Sequence, residues 1–172
     1  MTKTVELRRH TASEGDRLTA DGVKAAVDIG RRLADQYDLL ISSGAQRATQ
    51  TLACFLAGRG TRMACGVTVD EGFRSQVEDR WFAIAKQAGG GLESFRRVDQ
   101  ELVDGEADRF GGALRRVFDS LSEGGRALIV GHSPMHEVAV YGLTGEFVPS
   151  ISKGAGVAIT SEGDRFRVQP LA

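Results

Sequence analysis

Residues 126–134 read RALIVGHSP, a short apolar run that ends in Gly131, His132 and Ser133 and then meets Pro134. A run of this kind, bounded by turn residues, is a strand buried on both faces. Pro134 suits the opening of a helix, because its missing N–H would be unpaired there anyway. The same grammar recurs upstream. Residues 38–42, DLLIS, form another short apolar run, and in residues 4–10, TVELRRH, Val5 and Leu7 alternate with polar neighbours before a polar stretch ends the strand.

Helices fall between these strands. Residues 18–37, LTADGVKAAVDIGRRLADQY, place Val23, Ala26, Val27, Gly30, Leu33, Ala34 and Tyr37 at helical spacing, with Thr19 as N-cap and Asp21 in the first turn. A second helix is predicted over 45–57, capped by Ser42 or Ser43 and stopped by Gly58 and Gly60. CGVTV at 65–69 reads as a third strand. Helical segments follow near 77–87, 92–102 and 106–122, the last with Phe110, Leu114, Val117, Phe118 and Leu121 on one stripe, and with GGG at 89–91 as punctuation. GVAIT at 156–160 and RFRVQ at 165–169, split by the turn-like SEGD, predict a terminal hairpin. Strands alternating with helices imply an α/β fold: a three-layer sandwich with a mainly parallel central sheet flanked by helices, one edge antiparallel, in a single domain over 1–172.

Composition narrows the function. Twenty-two basic residues are interspersed among 23 acidic ones, for a formal net charge of -1, which removes the electrostatic case for nucleic acid. No apolar stretch has the length of a membrane span or a signal peptide, so a cytoplasmic protein is expected. Cys54 and Cys65 lie in apolar surroundings and read as buried thiols rather than a disulfide frame. Oligomeric state is not legible.

In a parallel sheet, ligands bind beyond the carboxyl ends of the strands. Those positions hold Arg8, Arg9 and His10 after the first strand, Ser42, Ser43 and Arg47 after the second, and His132 and Ser133 after RALIVG. A lone histidine at a strand end is ordinarily a turn residue, and a lone arginine in a first helical turn is ordinarily solvated; the joint pattern is what points to an anion. Arginine offers phosphate a rigid fork of donors, and a helix N-terminus adds unpaired N–H groups. A neutral imidazole beside them can attack phosphorus and hold the phosphoryl group until water removes it. Neighbouring positive charge helps keep that imidazole unprotonated. Such a site needs neither metal nor cofactor. His132 and His136 have an HxxxH spacing, but His132 precedes the helix, so the pair does not share a face as metal ligands would.

Four segments, LRRHT, LTADG, SSGAQRATQT and LIVGHSP, resemble in kind and in order the motifs of the histidine phosphatase superfamily, which includes phosphoglycerate mutases and short phosphohistidine phosphatases. The likeness covers most of residues 5–135. It implies His10 as nucleophile and Arg9, Arg47 and His132 as the phosphate pocket, in a phosphatase acting on a phosphorylated small molecule or a phosphoprotein. The chain lacks the long insertions that cover the pocket of mutases, which favours hydrolysis.

Two positions depart from the family pattern. Thr11 stands where the family usually has Gly, and a β-branched residue tolerates unusual backbone angles poorly. In FRSQVEDRW, residues 73–81, Ser75 occupies the place of the glutamate that protonates the leaving group in many members. Glu78, Glu71 or Asp79 can substitute from a nearby turn, Glu78 being the catalytic candidate and Glu71 a substrate-binding one. Arg8, Thr11 and Ser133 complete the substrate-side candidates, with a snorkelling role for Arg8 and a capping role for Ser133 as the plainer alternatives. These departures also motivate a second function class, a non-catalytic phosphate-ligand-binding or regulatory protein.

Overall fold

A computed structural model describes residues 2–172. In chain order its elements are β1 (Lys3–Arg9), β2 (Ser13–Glu14), β3 (Arg17–Leu18), α1 (Ala20–Gly30), β4 (Leu39–Ser42), α2 (Gln46–Arg59), β5 (Val67–Val69), α3 (Glu78–Gln87), α4 (Leu92–Val98), α5 (Gln100–Ser120), β6 (Arg126–Gly131), α6 (Met135–Thr144), β7 (Gly156–Glu162) and β8 (Arg165–Leu171). The main sheet runs β5-β4-β6-β1-β7-β8. β5, β4, β6 and β1 are parallel, and the β7–β8 hairpin adds the antiparallel edge.

Helices cover both faces. Ala26 of α1 and Ala48, Leu52 and Phe55 of α2 pack on Leu40, Leu128 and Val130 of the sheet. On the other face α3 to α6 close over Val5, Leu7, Ala127, Ile129, Val157 and Ile159, with Phe110 and Leu114 of α5 fully buried between. Alternate residues of β6 therefore feed two different cores, which is why that strand reads as an unbroken apolar run.

The element ends carry three corrections to the sequence reading. α1 stops at Gly30 instead of reaching Tyr37, whose hydroxyl turns to donate to Glu6 at 3.1 Å. α2 is not capped by Ser42 or Ser43. Its N-cap is Ala45, and the exposed N–H groups of Gln46 and Arg47 donate to the carboxylate of Asp16, from a hairpin that the sequence reading did not foresee. Gly15, with φ 59°, makes the tight turn between β2 and β3 that delivers Asp16 there. The break near residue 103 lies instead at Asp99, whose side chain caps α5 by accepting from Leu102 N–H. Cys54 and Cys65 are free and half-buried rather than buried. No helix among the described residues is long and apolar enough to cross a membrane.

Candidate active site

Three neighbouring parallel strands, β4, β6 and β1, end at one edge of the sheet, and the backbone ties their exits together. His10 N–H donates to Gly131 carbonyl at 3.0 Å, Ser43 N–H to Val130 carbonyl at 3.1 Å, and Gly154 N–H to Arg9 carbonyl at 3.1 Å. The side chains that follow these strands consequently face a common space. The His10 and His132 rings lie 5.4 Å apart, centroid to centroid.

His10 is buried, and its Nδ1 is 2.8 Å from the carbonyl oxygen of Thr11. A carbonyl only accepts, so Nδ1 carries the proton and Nε2 keeps its lone pair. Burial lowers the pKa of His10 to about 4, opposed by the Thr11 hydrogen bond and reinforced by the charges of Arg47, Arg9 and Lys153. The ring is therefore neutral near pH 7, as a nucleophile must be.

His132 is more deeply buried, and its Nε2 is 2.7 Å from Ser43 Oγ. Ser43 Oγ also accepts from Ala45 N–H at 3.5 Å, and with its own proton given to Nε2 of His132, Nδ1 would carry the ring proton. That Nδ1 is buried with no partner among the described residues. A buried donor without a partner is costly unless something else satisfies it, and an oxygen of a bound anion would. Burial, then the charges of Arg47 and the neighbouring histidines, hold His132 neutral with a pKa pushed down to about 2.

Arg47 lies in the first turn of α2. Its Nη1 donates to Asp16 at 2.8 Å, and its Nη2 is 3.8 Å from Glu78 Oε1. Its side chain is 19% exposed, so it does not point into bulk water. Burial alone would raise the pKa of Asp16, but the N–H groups and guanidinium of α2 outweigh it and hold the carboxyl below its ordinary value. Arg9 donates to Ile151 carbonyl at 3.0 Å. Ile151 N–H in turn donates to Glu137 Oε1 at 2.8 Å, and Ser133 Oγ donates to the same oxygen. A chain of contacts thus runs from Arg9 through the backbone to α6. Burial raises the pKa of Glu137, against the hydrogen bonds from Ile151 and Ser133 and the charge of Arg9.

The edge of the sheet opens into a cleft of about 290 Å³ lined by Arg9, His10, Glu78, His132, Ser133 and Glu137 at its polar end. Of the residues singled out by sequence, Arg8, Thr11, Glu71 and Asp79 do not reach it, and Arg47 meets it only through Glu78, 3.8 Å from its Nη2. Arg8 points to the opposite face of β1, where its guanidinium donates to Gly154 and Ala172 carbonyls, because successive strand residues alternate in direction. Thr11 has ordinary backbone angles, since no described non-glycine residue has a positive φ, and its hydroxyl donates to Gly22 carbonyl at 2.8 Å, away from the cleft. Gly22 permits this: a Cβ there would lie 2.0 Å from Ala12 carbonyl oxygen, so only glycine lets α1 sit against the loop after His10. Glu71 is exposed in the short 3-10 turn Glu71–Phe73, outside the cleft, and Asp79 is exposed as well. His136, the second histidine of the HxxxH spacing, is fully buried, with Nε2 2.9 Å from Arg8 carbonyl.

Besides Asp16, sequence reading missed two carboxylates. Glu137 is a charged residue within the buried run Met135–Val140, an incongruity that marked it. Glu106, on α5, accepts from Ser75 Oγ at 2.9 Å and from Trp81 Nε1 at 3.3 Å, so Ser75 serves as a donor to a carboxylate brought from another helix. No local signal links positions 31 residues apart.

Comparison with known proteins places this geometry. Structures of the same fold include phosphoglycerate mutase from Bacillus anthracis str. Sterne (17% identity, TM-score 0.73, covering 99% of this chain and 92% of that one). Phosphoserine phosphatase from Entamoeba histolytica, solved with 3-phosphoglyceric acid, gives 15% identity and a TM-score of 0.74 over 99% and 97% of the two chains. A mycobacterial glucosyl-3-phosphoglycerate phosphatase, solved with VO3, gives 18% and 0.72 over 98% of each. A sequence search against curated proteins finds no match. The family model described as histidine phosphatase superfamily (branch 1) matches residues 2–154, most of the chain, and the chain belongs to the histidine phosphatase superfamily.

Proposed function

We propose that this chain is a phosphatase that hydrolyses a phosphomonoester or phosphoramidate through a phosphoryl group carried on Nε2 of His10. The observation that carries this reading is the state of His10: neutral, with Nδ1 bound to Thr11 and Nε2 free, 5.4 Å from a second neutral imidazole. Nε2 attacks phosphorus, the bond to the leaving oxygen or nitrogen breaks, and the electron pair departs with that atom. Water then attacks the phosphoimidazole from the opposite side, releasing phosphate and returning the neutral ring. Arg9, Arg47 and the Nδ1–H of His132 stabilise the equatorial oxygens, where charge accumulates during transfer. Glu78, lining the cleft beside Arg47, is assigned as donor to the leaving group. Ser133 and Glu137 hold Arg9 in place.

Several of the similar structures are those of phosphatases, which supports hydrolysis over mutase chemistry. The substrate is a phosphorylated small molecule or phosphoprotein, and the two free thiols suit a reducing, cytoplasmic setting. An aryl phosphate tests the reading, because its leaving group needs little protonation. Hydrolysis that disappears in His10→Ala supports the enzyme. Binding of phosphate with no turnover at any pH would identify a non-catalytic phosphate binder.

A further inference from the structure

The cleft that begins at His10 does not end with the phosphate-facing residues. Beyond them its walls are Trp81, Phe82 and Ala85 of α3, Leu92 and Phe95 of α4, and Met135. Trp81 and Phe95 meet at 6.4 Å, tilted by 58°, and form the floor of this section. Phe82 is 65% exposed at the mouth, a large apolar side chain left in water beside a concave apolar surface. The carboxylates are as informative as the rings. Glu78 and Glu137 line the cleft, whereas Arg9 is the single lysine or arginine among its lining residues and belongs to the phosphate end. A second anionic group carried beyond the phosphate end would lie against apolar walls, with no lysine or arginine among the residues lining that section to receive it.

We infer that the substrate is a monoester whose alcohol half is an uncharged apolar ring or chain, seated between α3 and α4, and that Phe82 is a specificity-determining residue. This inference rests on the phosphatase reading of His10 and adds the substrate class to it. The volume, about 290 Å³, is at the lower edge of the roughly 300–1,000 Å³ typical of small-molecule sites. It suits a compact body, one ring with a short substituent, rather than a long polar head. The ring stacks against Trp81 and Phe95 while its phosphate reaches Nε2 of His10.

The test compares phenyl phosphate with its para-propyl and para-carboxyethyl derivatives, whose phenol leaving groups have nearly the same basicity. At about fourfold per buried methylene, partial burial of the propyl group should raise kcat/KM by about tenfold over the phenyl ester, mostly through KM. The carboxyethyl ester, of similar size, should fall below the phenyl ester. Phe82→Ala, at an exposed position that folding does not depend on, should shrink the propyl advantage to about threefold or less. Equal rates on all three esters, preference for the carboxylate, or an unchanged propyl advantage in Phe82→Ala would each overturn the substrate class and leave the phosphatase reading standing. Absence of turnover on the phenyl ester itself would overturn both.

Discussion

The imidazoles of His10 and His132, delivered by the neighbouring parallel strands β1 and β6, lie 5.4 Å apart with their rings tilted by 59°. Each ring has one nitrogen tied to the protein, His10 Nδ1 by Thr11 and His132 Nε2 by Ser43. The other nitrogen of each, Nε2 of His10 and Nδ1 of His132, is left for a ligand. With Ser43 donating to Nε2 of His132, the two rings would take opposite tautomers, one a nucleophile and the other a donor.

The neutral state of His10 sets the pH dependence. Its pKa of about 4 lies below the ordinary 6.5, so the reactive form is complete above about pH 5 and is lost as pH falls through 4. With the substrate's own second ionisation near about 6 divided out, the acidic limb of kcat/KM should fall near pH 4. A limb near 6.5 would show an unperturbed histidine.

Ser43 orients His132. Ser43→Ala removes a buried neutral hydrogen bond, so stability should fall by about 0.5–1.5 kcal/mol and, with His132 no longer held in place, kcat/KM should drop as well. A loss confined to stability would assign Ser43 a packing role only.

Arg47 acts by its fork. Arg47→Lys keeps the charge but loses planar two-point contact with phosphate, and kcat/KM on an aryl phosphate should fall about ten- to a hundredfold. Activity equal to wild type would remove Arg47 from the phosphate site.

Glu106 holds the wall of the cleft. In Glu106→Ala, Ser75 Oγ and Trp81 Nε1 lose their acceptor, and leaving buried donors unpaired costs about 1–3 kcal/mol each. Urea denaturation should show a loss of about 3 kcal/mol. A change within about 0.5 kcal/mol, typical of surface positions, would contradict it.

His136 couples stability to pH. Burial lowers its pKa from 6.5 to about 4, so below 6.5 the unfolded chain binds more protons than the folded one. Its contribution is complete above pH 6.5 and is lost as pH falls toward 4, by on the order of 3 kcal/mol. Thermal midpoints measured from pH 7 to 4.5 should fall steeply in wild type and less steeply in His136→Gln. Equal slopes would refute the coupling.

Much of this architecture is legible in sequence because strands buried on both faces are short apolar runs, and in a parallel sheet their exits mark the ligand edge. Arg9, His10, Arg47 and His132 stand at such exits, and the fold gathers them at one sheet edge. Arg8 and Thr11 belong to the same exit but turn elsewhere, since strand alternation sends Arg8 to the other face and Gly22 draws the Thr11 hydroxyl to α1. Asp16 on α2 and Glu106 on Ser75 were illegible for a different reason: each meets its partner only after two elements pack, and neither has a local pattern.

The stereochemical course at phosphorus tests the central claim most directly. Hydrolysis in 17O-water of an aryl phosphorothioate made chiral at phosphorus by 16O and 18O, which releases a chiral thiophosphate, should proceed with net retention, because attack by His10 and then by water each inverts the centre. Net inversion would mean that water displaces the leaving group in one step and that His10 never carries the phosphoryl group.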